Sequence, residues 1–261
     1  MDILVCMKQV PATGEVKIDE ATGLLKRDSA AAKVNPYDLY ALELALSLKE
    51  KLGGTVSVIS MGPQSAGSAL REAMEIGADR GFLLCDRRFA GADVLATSRT
   101  LAAGIKKAGS YDLILCGKQT TDGDTAQVGP EIAEMLGIPH ACYVQRLSVE
   151  ENGITVKINL GIEEITQKIP LPCLLTVEKD INTPRLPSYR RGLAIKEEEL
   201  TVYSLDDFEN QDERFYGLSG SPTQVERIFP PDKNTRKQIF KGTAEESASR
   251  MYSILSDEKY L

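Results

Sequence analysis

Along the first half of the chain, short runs rich in apolar residues alternate with longer segments whose apolar residues recur every three to four positions. The short runs cover residues 3–7, 55–61, 81–85 and 113–116. Runs of this length and composition are typical of buried parallel strands. The segments between them each carry an apolar helical face, as Leu39, Leu42 and Leu46 do in the first. The alternation predicts an α/β fold with a doubly wound, mostly parallel sheet.

Residues that favour helix termini flank two of the predicted helices. Asn35 is expected to cap the first helix, with Pro36 at its first position. After the fourth strand, Asp124 or Thr125 is expected to cap the next helix, with Pro130 in its first turn. These signals place the two helix starts independently of the apolar pattern.

The pattern changes in the middle of the chain. Three β-rich runs, at residues 141–148, 154–160 and 162–169, are separated by turn residues and predict an antiparallel β excursion. Residues 174–177 are apolar on both faces and predict a further central strand of the sheet. Residues 12–34 are polar and contain glycines, and they predict a hairpin or excursion rather than a helix.

Beyond residue 180 the core pattern disappears. Residues 197–213 hold eight carboxylates and no Lys or Arg, which predicts a solvated or partner-facing linker, with disorder as the alternative. Residues 229–231 have the composition of a docking segment, and residues 243–255 can form a terminal helix. An extended C-terminal arm of this length without a core of its own either docks on another chain or packs on its own body.

Composition and charge narrow the function classes. The 261 residues carry a net charge of −7 and no basic arm, which argues against nucleic-acid binding. No apolar run approaches the ~20 residues of a membrane span, and Met1 leads into a strand rather than a signal peptide, so the chain is expected to be cytoplasmic. The five cysteines never form a C-x-x-C pair and are expected to be buried thiols. His140, the single histidine, argues against triads and multi-histidine metal sites.

The strongest candidate site is the segment between the fourth strand and the following helix, residues 117–128. It is longer than the ~2–6 residues usual for such a link, and it is rich in glycine, hydroxyl, amide and carboxylate groups. A loop of this kind places free N–H groups and a helix N-terminus at the carboxyl end of a sheet, where α/β proteins bind phosphorylated ligands. The pattern favours nucleotide binding over an ordinary polar connector.

The side chains of this loop indicate how a nucleotide would be held. The neutral donors available to phosphate oxygens are Gln119, Thr120, Thr121, Thr125 and Gln127. Lys8, at the end of the first strand, can add a positive charge. Asp122 and Asp124 repel phosphate, so they are expected to act as caps or to face ribose or adenine rather than to form a catalytic pair. Gly123 is expected to adopt a positive φ that brings the backbone against the ligand.

Motifs of phosphoryl transfer, dinucleotide binding and ester hydrolysis are absent from the sequence. Gly117-Lys118 lacks the leading glycine of a P-loop, no G-x-G-x-x-G follows the first strand, and there is no G-x-S-x-G. No nucleophile or acid–base pair emerges, so no catalytic residue and no metal ligand is predicted. A protein whose bound ligand performs the reaction fits these residues better than a protein-side catalyst.

The chain resembles, over nearly its whole length, the beta subunit of electron transfer flavoproteins. The matching motifs are residues 5–11, 35–38, 41–43, 61–63, 77–81, 117–119, 122–127 and 186–188. The resemblance implies a heterodimer with an alpha subunit that carries FAD. It also implies a nucleotide site in the beta subunit, which holds AMP in the respiratory type and a second FAD in the electron-bifurcating type of anaerobes. Residues 122–130 and 8–11 are similar to the bifurcating type, which implies FAD here.

The resemblance also implies which residues bind the cofactor. Carried over by position, they are Cys6, Asn35, Pro36, Tyr37, Asp38, Met61, Gly117, Lys118, Gln119, Thr120, Thr121, Asp122, Gly123, Asp124, Thr125, Ala126, Gln127 and Val128. Lys8 joins them from its place at the end of the first strand.

In bifurcating members NADH reduces the beta-bound FAD. One electron then goes to ferredoxin or flavodoxin, and the other passes through the alpha-subunit FAD to an acyl-CoA dehydrogenase-type partner. Arg185, Leu186 and Pro187 match the family's recognition loop for that enzyme. The resemblance therefore divides the chain into a nucleotide- or flavin-binding domain, residues 1–180, and a recognition loop with a partner-docking arm, residues 181–261.

Three alternatives remain open from the sequence. The first is a non-bifurcating subunit that holds AMP as a structural nucleotide. The second is an adenine-nucleotide-binding module without redox work. The third is a nucleotide hydrolase or ligase on a similar fold, against which the lack of a nucleophile constellation argues.

Overall fold

The computed structural model describes residues 1–12, 32–150, 153–161, 163–196, 199–226 and 238–261. The chain forms two compact units, Met1–Glu226 and Arg227–Leu261. The functional division near residue 180, between a binding domain and a docking arm, stays a prediction.

The first unit interleaves strands and helices. Its strands are β1 (Asp2–Cys6), β2 (Gln9–Pro11), β3 (Ala32–Val34), β4 (Thr55–Met61), β5 (Arg80–Leu84), β6 (Leu113–Gly117), β7 (His140–Glu150), β8 (Gly153–Asn159), β9 (Glu164–Ile169), β10 (Cys173–Val177) and β11 (Leu200–Tyr203). Its helices are α1 (Pro36–Leu52), α2 (Gly67–Ile76), α3 (Val94–Ala108), α4 (Val128–Leu136) and the single turn α5 (Tyr189–Gly192). The four predicted strand–helix units are confirmed.

A nine-stranded sheet in the order β11-β5-β4-β1-β6-β10-β7-β8-β9 organises this unit. The strands from β11 to β7 run parallel, whereas β8 and β9 add antiparallel pairings at one edge. The antiparallel excursion therefore continues the main sheet. The chain order reverses at β1, which has β4 on one side and β6 on the other. A reversal of this kind opens a crevice at the carboxyl ends of the strands.

Helices cover both faces of the sheet. On one face, Leu42 of α1 and Leu70 of α2 pack in the same apolar cluster as Val5 of β1. On the other, Ile105 of α3 and Ile132 of α4 form a second cluster. Because β1 is buried from both sides, its residues are apolar without alternation, which is why its sequence reads as a continuous apolar run.

The linker predicted at residues 197–213 is wrong for the part that the structure describes. β11 pairs parallel with β5, and Leu205, Phe208 and Tyr216 are buried around Phe89. Two of the acidic residues of this segment, Asp206 and Glu213, form ion pairs with Arg88, which local composition does not reveal.

The second unit contains α6 (Ala244–Asp257), which confirms the predicted terminal helix. Thr243 caps it by accepting a hydrogen bond from the Glu246 N–H, and the Glu246 carboxylate accepts one from the Thr243 N–H in return. The docking segment predicted at residues 229–231 lies outside the described residues. So does most of the hairpin predicted at 12–34, although its flanks, β2 and β3, pair antiparallel.

Among the helices that the structure describes, none combines the length and the apolar character that crossing a bilayer requires.

Candidate functional site

The predicted site lies at the carboxyl edge of the sheet, where β1 and β6 run side by side and the chain order reverses. The loop that follows β6, residues 118–127, reaches the N-terminus of α4. Residues 121–125 of this loop are exposed, whereas the β6 residues below it are buried. The position is the one at which open α/β sheets bind their ligands.

Asp38 ties together the three elements beneath the loop. Its carboxylate is 5% exposed and accepts hydrogen bonds from the Lys8 N–H at 2.8 Å, from Asn35 Nδ2 at 2.9 Å and from the Gly117 N–H. A Cβ on Gly117 would lie 2.5 Å from Asp38 Oδ1 and 2.6 Å from the carbonyl carbon of Tyr37. Glycine is therefore required at residue 117 because α1 begins directly against the end of β6.

Asn35 holds the loop instead of capping its helix. It occupies the N-cap position of α1 with Pro36 next to it, but its side chain makes no cap hydrogen bond, so the predicted capping role is wrong. Its Nδ2 donates to the Gln119 carbonyl at 2.9 Å, and its Oδ1 accepts from the Thr121 N–H at 3.3 Å. The side chain is fully buried. Asn35 therefore fixes the first turn of the loop from below.

The two carboxylates of the loop are engaged by neighbouring side chains. Lys8 Nζ lies 2.7 Å from Asp122 Oδ2, and Gln119 donates a hydrogen bond to Asp124. Burial raises the pKa of Asp122, but the hydrogen bond and the charge of Lys8 outweigh it, so the pKa is lowered overall. The charge of Lys8 offsets that of Asp122 where an anionic ligand would approach.

The backbone of the loop turns sharply before α4. Asp124 and Ala126 adopt φ values of 53° and 56°, a left-handed conformation that is uncommon for residues other than glycine. The φ of Gly123 lies outside this range, so the predicted positive φ at Gly123 is wrong. Strain of this kind persists only where the surrounding structure enforces it, and it is common at ligand sites.

Several N–H groups at the end of the turn find no acceptor among the residues that the structure describes. Within the described residues, the backbone N–H groups of 125–129 donate no hydrogen bond. The N-cap of α4 is Gln127, so the predicted cap at Asp124 or Thr125 is wrong, whereas Pro130 does lie in the first turn. A Cβ on Gly129 would lie 2.5 Å from Thr176 Cγ2, so the start of α4 packs directly on β10. The loop thus presents a row of free donors at a helix N-terminus.

The remaining predicted residues lie around this row. Cys6 and Cys116 are buried partners in adjacent strands, and their hydrogen bond together with burial raises the pKa of Cys116 well above its usual value. Cys116 therefore stays a neutral thiol. Met61 ends β4 on the other side of β1 and is half-buried. Pro36 and Tyr37 open α1, and the backbone of Tyr37 packs against Gly117.

The Lys118 side chain contacts two residues that could not be predicted from the sequence. Its Nζ lies 2.7 Å from Glu178 Oε1 and 5.0 Å from the centre of the Tyr143 ring. The hydrogen bond that Lys118 donates to Glu178 raises the pKa of Lys118. No local pattern marks Tyr143 or Glu178, because they meet Lys118 only through the order of β6, β10 and β7 in the sheet.

Within the described residues, no group of three or more His, Cys, Asp and Glu side chains is arranged to hold a metal ion. The donors that the loop offers are the N–H groups of residues 125–129, with the ammonium of Lys8 nearby on Asp122. This donor set suits an anion such as a pyrophosphate.

Comparison with known proteins identifies the family. The model of the electron transfer flavoprotein domain matches residues 22–205. The chain is 44% identical over 263 residues to the electron transfer flavoprotein subunit beta of Clostridium acetobutylicum, covering all of both chains.

The chain belongs to the electron transfer flavoprotein beta subunit family.

Two further relatives extend the comparison. The caffeyl-CoA reductase-Etf complex subunit CarD of Acetobacterium woodii is 45% identical, with 99% of each chain covered. Protein FixA of Azorhizobium caulinodans is 41% identical over 91% of this chain and 87% of its own. The match to electron transfer flavoprotein beta subunits extends beyond the strand–helix core to the whole chain.

The segment that resembles the family's recognition loop follows β10. Leu186 is 86% exposed and projects from the body. The Arg185 side chain instead turns inward to Glu43, with Nε 2.8 Å from Glu43 Oε2. The binding of a partner by Arg185, Leu186 and Pro187 stays a prediction.

Asp38 gives this electron transfer flavoprotein subunit a testable pH dependence. Burial raises the pKa of Asp38 from 3.8 to about 7, although its hydrogen bonds from Asn35, Lys8 and Gly117 lower it. Because the folded-state pKa is raised, the stability contributed by the neutral acid is full below pH 3.8 and is lost as the pH rises through 7. Relative to Asp38→Asn, the free energy of unfolding of the wild-type protein is expected to fall by up to ~1.4 kcal/mol per pH unit over this window. Urea midpoints from pH 4 upward measure this difference, and parallel profiles would refute it.

Proposed function

We propose that this chain is an electron-transfer subunit that binds FAD non-covalently at the carboxyl edge of β1 and β6. The observation that carries the proposal is the row of N–H groups at residues 125–129, which lie at the N-terminus of α4 and donate to no acceptor in the described part of the chain. Backbone donors at a helix N-terminus are suited to the pyrophosphate of a dinucleotide. FAD, when bound, supplies the redox chemistry that the side chains of the site do not offer.

The residues around the row have positioning roles in this proposal. Asn35 and Asp38 hold the loop and the strand ends in place, so that the donors are fixed before the ligand arrives. Lys8 offsets the charge of Asp122 and leaves that carboxylate free to accept hydrogen bonds from ribose hydroxyls. The raised pKa keeps the buried thiol of Cys116 neutral, so it adds no charge beneath the ligand.

The proposed electron path involves several partners. The chain forms a heterodimer with an electron transfer flavoprotein alpha subunit that carries its own FAD. NADH donates the electrons, one of which passes to ferredoxin or flavodoxin and the other, through the alpha-subunit FAD, to an acyl-CoA dehydrogenase-type flavoenzyme. Support for a partner that acts on CoA thioesters comes from the A. woodii relative, whose name places it in a caffeyl-CoA reductase-Etf complex.

An anaerobic titration of the purified heterodimer with NADH tests this function. The visible absorbance of two flavins per heterodimer is expected to bleach as NADH is added. If NADH did not bleach the flavins and only a reduced dehydrogenase did, that result would contradict the role of NADH as donor. A heterodimer that binds adenine nucleotide but no flavin at this subunit would favour the non-redox module.

Replacing Lys8 is expected to weaken cofactor binding. In Lys8→Gln the carboxylate of Asp122 loses its ion pair, which is 2.7 Å long and partly exposed, and then repels the anionic ligand. The expected loss in FAD affinity is about tenfold at low ionic strength and smaller in high salt, since exposed charges are screened. Fluorescence titration of the apoprotein with FAD at two salt concentrations measures the effect. Lys8→Arg, which keeps the charge, is expected to bind nearly as the wild type does; equal losses in both variants would contradict the charge argument.

A further inference from the structure

The segment 185–193 is fastened to the body at its first residue by a nearly buried carboxylate. Glu43 of α1 is 8% exposed and accepts from the Arg185 backbone N–H at 3.0 Å, from its Nε at 2.8 Å and from its Nη2 at 2.9 Å. Arg185 Nη1 also donates to Glu50 at 2.5 Å. Glu50 lies about two helical turns after Glu43 on α1. A guanidinium bound through both edges fixes the direction in which the chain leaves Arg185.

A second arginine fastens the other end of the segment. Arg191 donates from Nε to the Met74 carbonyl at 3.2 Å and from Nη2 to the Ala78 carbonyl at 3.1 Å, around the C-terminal end of α2. Between the two arginines, the Ser188 N–H donates to the Glu75 carbonyl at 3.1 Å. The segment is therefore held on α1 at one end and on α2 at the other.

The segment 185–193 also presents large apolar side chains to solvent, between the two arginines and directly after the second. Leu186, Tyr189 and Leu193 are 86%, 83% and 72% exposed, and we call them the apolar face. Arg190 is exposed beside them and, within the described residues, forms no ion pair. Large apolar side chains grouped on a rigid segment mark an interaction site, because folding alone gives them nothing to bury.

We infer that Glu43 and Arg185 are positioning residues that hold the apolar face ready for docking, and that Arg185 itself does not contact the partner. The inference rests on the proposed function, and its occupant is the acyl-CoA dehydrogenase-type flavoenzyme. The apolar face and the exposed charge of Arg190 fit a partner that offers an apolar pocket with an acidic rim. A segment ordered before binding loses less conformational freedom on docking, so its fastening affects affinity for the partner more than the rate of transfer within the complex.

Variants of the two residues in the intact heterodimer test the inference. Glu43→Gln keeps the shape but removes the charge, Arg185→Met removes the guanidinium, and Arg185→Lys keeps a charge without the two-edged geometry. Amide hydrogen exchange of residues 185–193 is expected to accelerate about tenfold in Glu43→Gln and Arg185→Met, and the KM for the dehydrogenase to rise about tenfold with little change in kcat. Arg185→Lys is expected to recover only part of both effects.

Two controls separate positioning from other causes. Glu50→Gln removes the exposed partner of the same arginine and is expected to give a much smaller change. Arg214→Gln removes an arginine that is 85% exposed and paired with Asp212, and it is expected to behave as the wild type in both measurements. Retained flavin content shows that each variant is folded.

Several results would overturn all or part of the inference. A raised KM with unchanged hydrogen exchange would mean that Arg185 contacts the partner itself. Faster exchange with an unchanged KM would mean that order in the segment has no bearing on docking.

A wild-type heterodimer that is reduced by NADH but passes no electrons to any acyl-CoA dehydrogenase would defeat the proposed electron path and, with it, the occupant assigned to the apolar face. Unchanged exchange in Glu43→Gln would instead defeat only the fastening.

Discussion

Gly117→Ala is expected to destabilise the protein and to release the nucleotide from this subunit. The new Cβ would lie 2.5 Å from Asp38 Oδ1 and 2.6 Å from the backbone of Tyr37, and a buried carboxylate and a helix start cannot move apart cheaply. Overpacking of this kind costs about 3 kcal/mol when backbone must shift. It also displaces the first residues of the loop, which shifts the backbone that carries the N–H groups of residues 125–129. Thermal unfolding of the heterodimer and the flavin retained after gel filtration measure the two effects.

Gly67→Ala is the matched control. Gly67 begins α2, and a Cβ there would lie 3.7 Å from the nearest side-chain atom of Leu200, which is ordinary contact. Alanine also favours the helix more than glycine does. This variant is expected to keep both its stability and its flavin. Normal flavin retention in Gly117→Ala would show that the loop does not depend on the close packing of α1 against β6.

Leu186→Ala is expected to impair electron transfer to the dehydrogenase while sparing reduction of the bound flavin by NADH. Leu186 is 86% exposed on a segment fastened at both ends, which are the properties of a side chain that fills a pocket on a partner. Loss of such a contact costs about 2 kcal/mol, or roughly thirtyfold in kcat/KM for the partner. Steady-state transfer to the dehydrogenase and stopped-flow reduction by NADH measure the two steps separately.

Leu52→Ala provides the comparison for this variant, because Leu52 is 49% exposed at the end of α1 and lies outside the apolar face. It is expected to leave both steps unchanged. If Leu186→Ala slowed both steps equally, the segment would have a structural rather than a docking role.

Much of the fold could be predicted from the sequence because its signals are local. The apolar runs of β1, β4, β5 and β6 and the helical periodicity between them require no knowledge of tertiary contacts. The same holds for the capped helix α6. The loop after β6 can be singled out for a related reason, since its small polar residues contrast with the apolar strand before it.

The features that could not be predicted from the sequence depend on contacts between residues that lie far apart along the chain. β11 and the buried residues Leu205 and Phe208 lie among carboxylates whose charges are offset by Arg88, more than 100 positions earlier. The sequence predicts that Gly123 takes the left-handed conformation in the loop, but the structure places that conformation at Asp124 and Ala126. Asn35 is of a residue type that favours helix N-caps, yet its side chain donates a hydrogen bond to the carbonyl of Gln119, 84 residues away. In each case tertiary packing overrides a local preference.

The central claim is that the loop after β6 holds an adenine-containing redox cofactor, and the most direct measurement is the nucleotide released from the natively isolated heterodimer. Acid release followed by chromatography should give two FAD per heterodimer for the wild type and one for Gly117→Ala, the remaining FAD being that of the alpha subunit. One FAD and one AMP from the wild type would assign the site to the non-bifurcating type. The same two FAD from both proteins would contradict the placement of the cofactor at this loop.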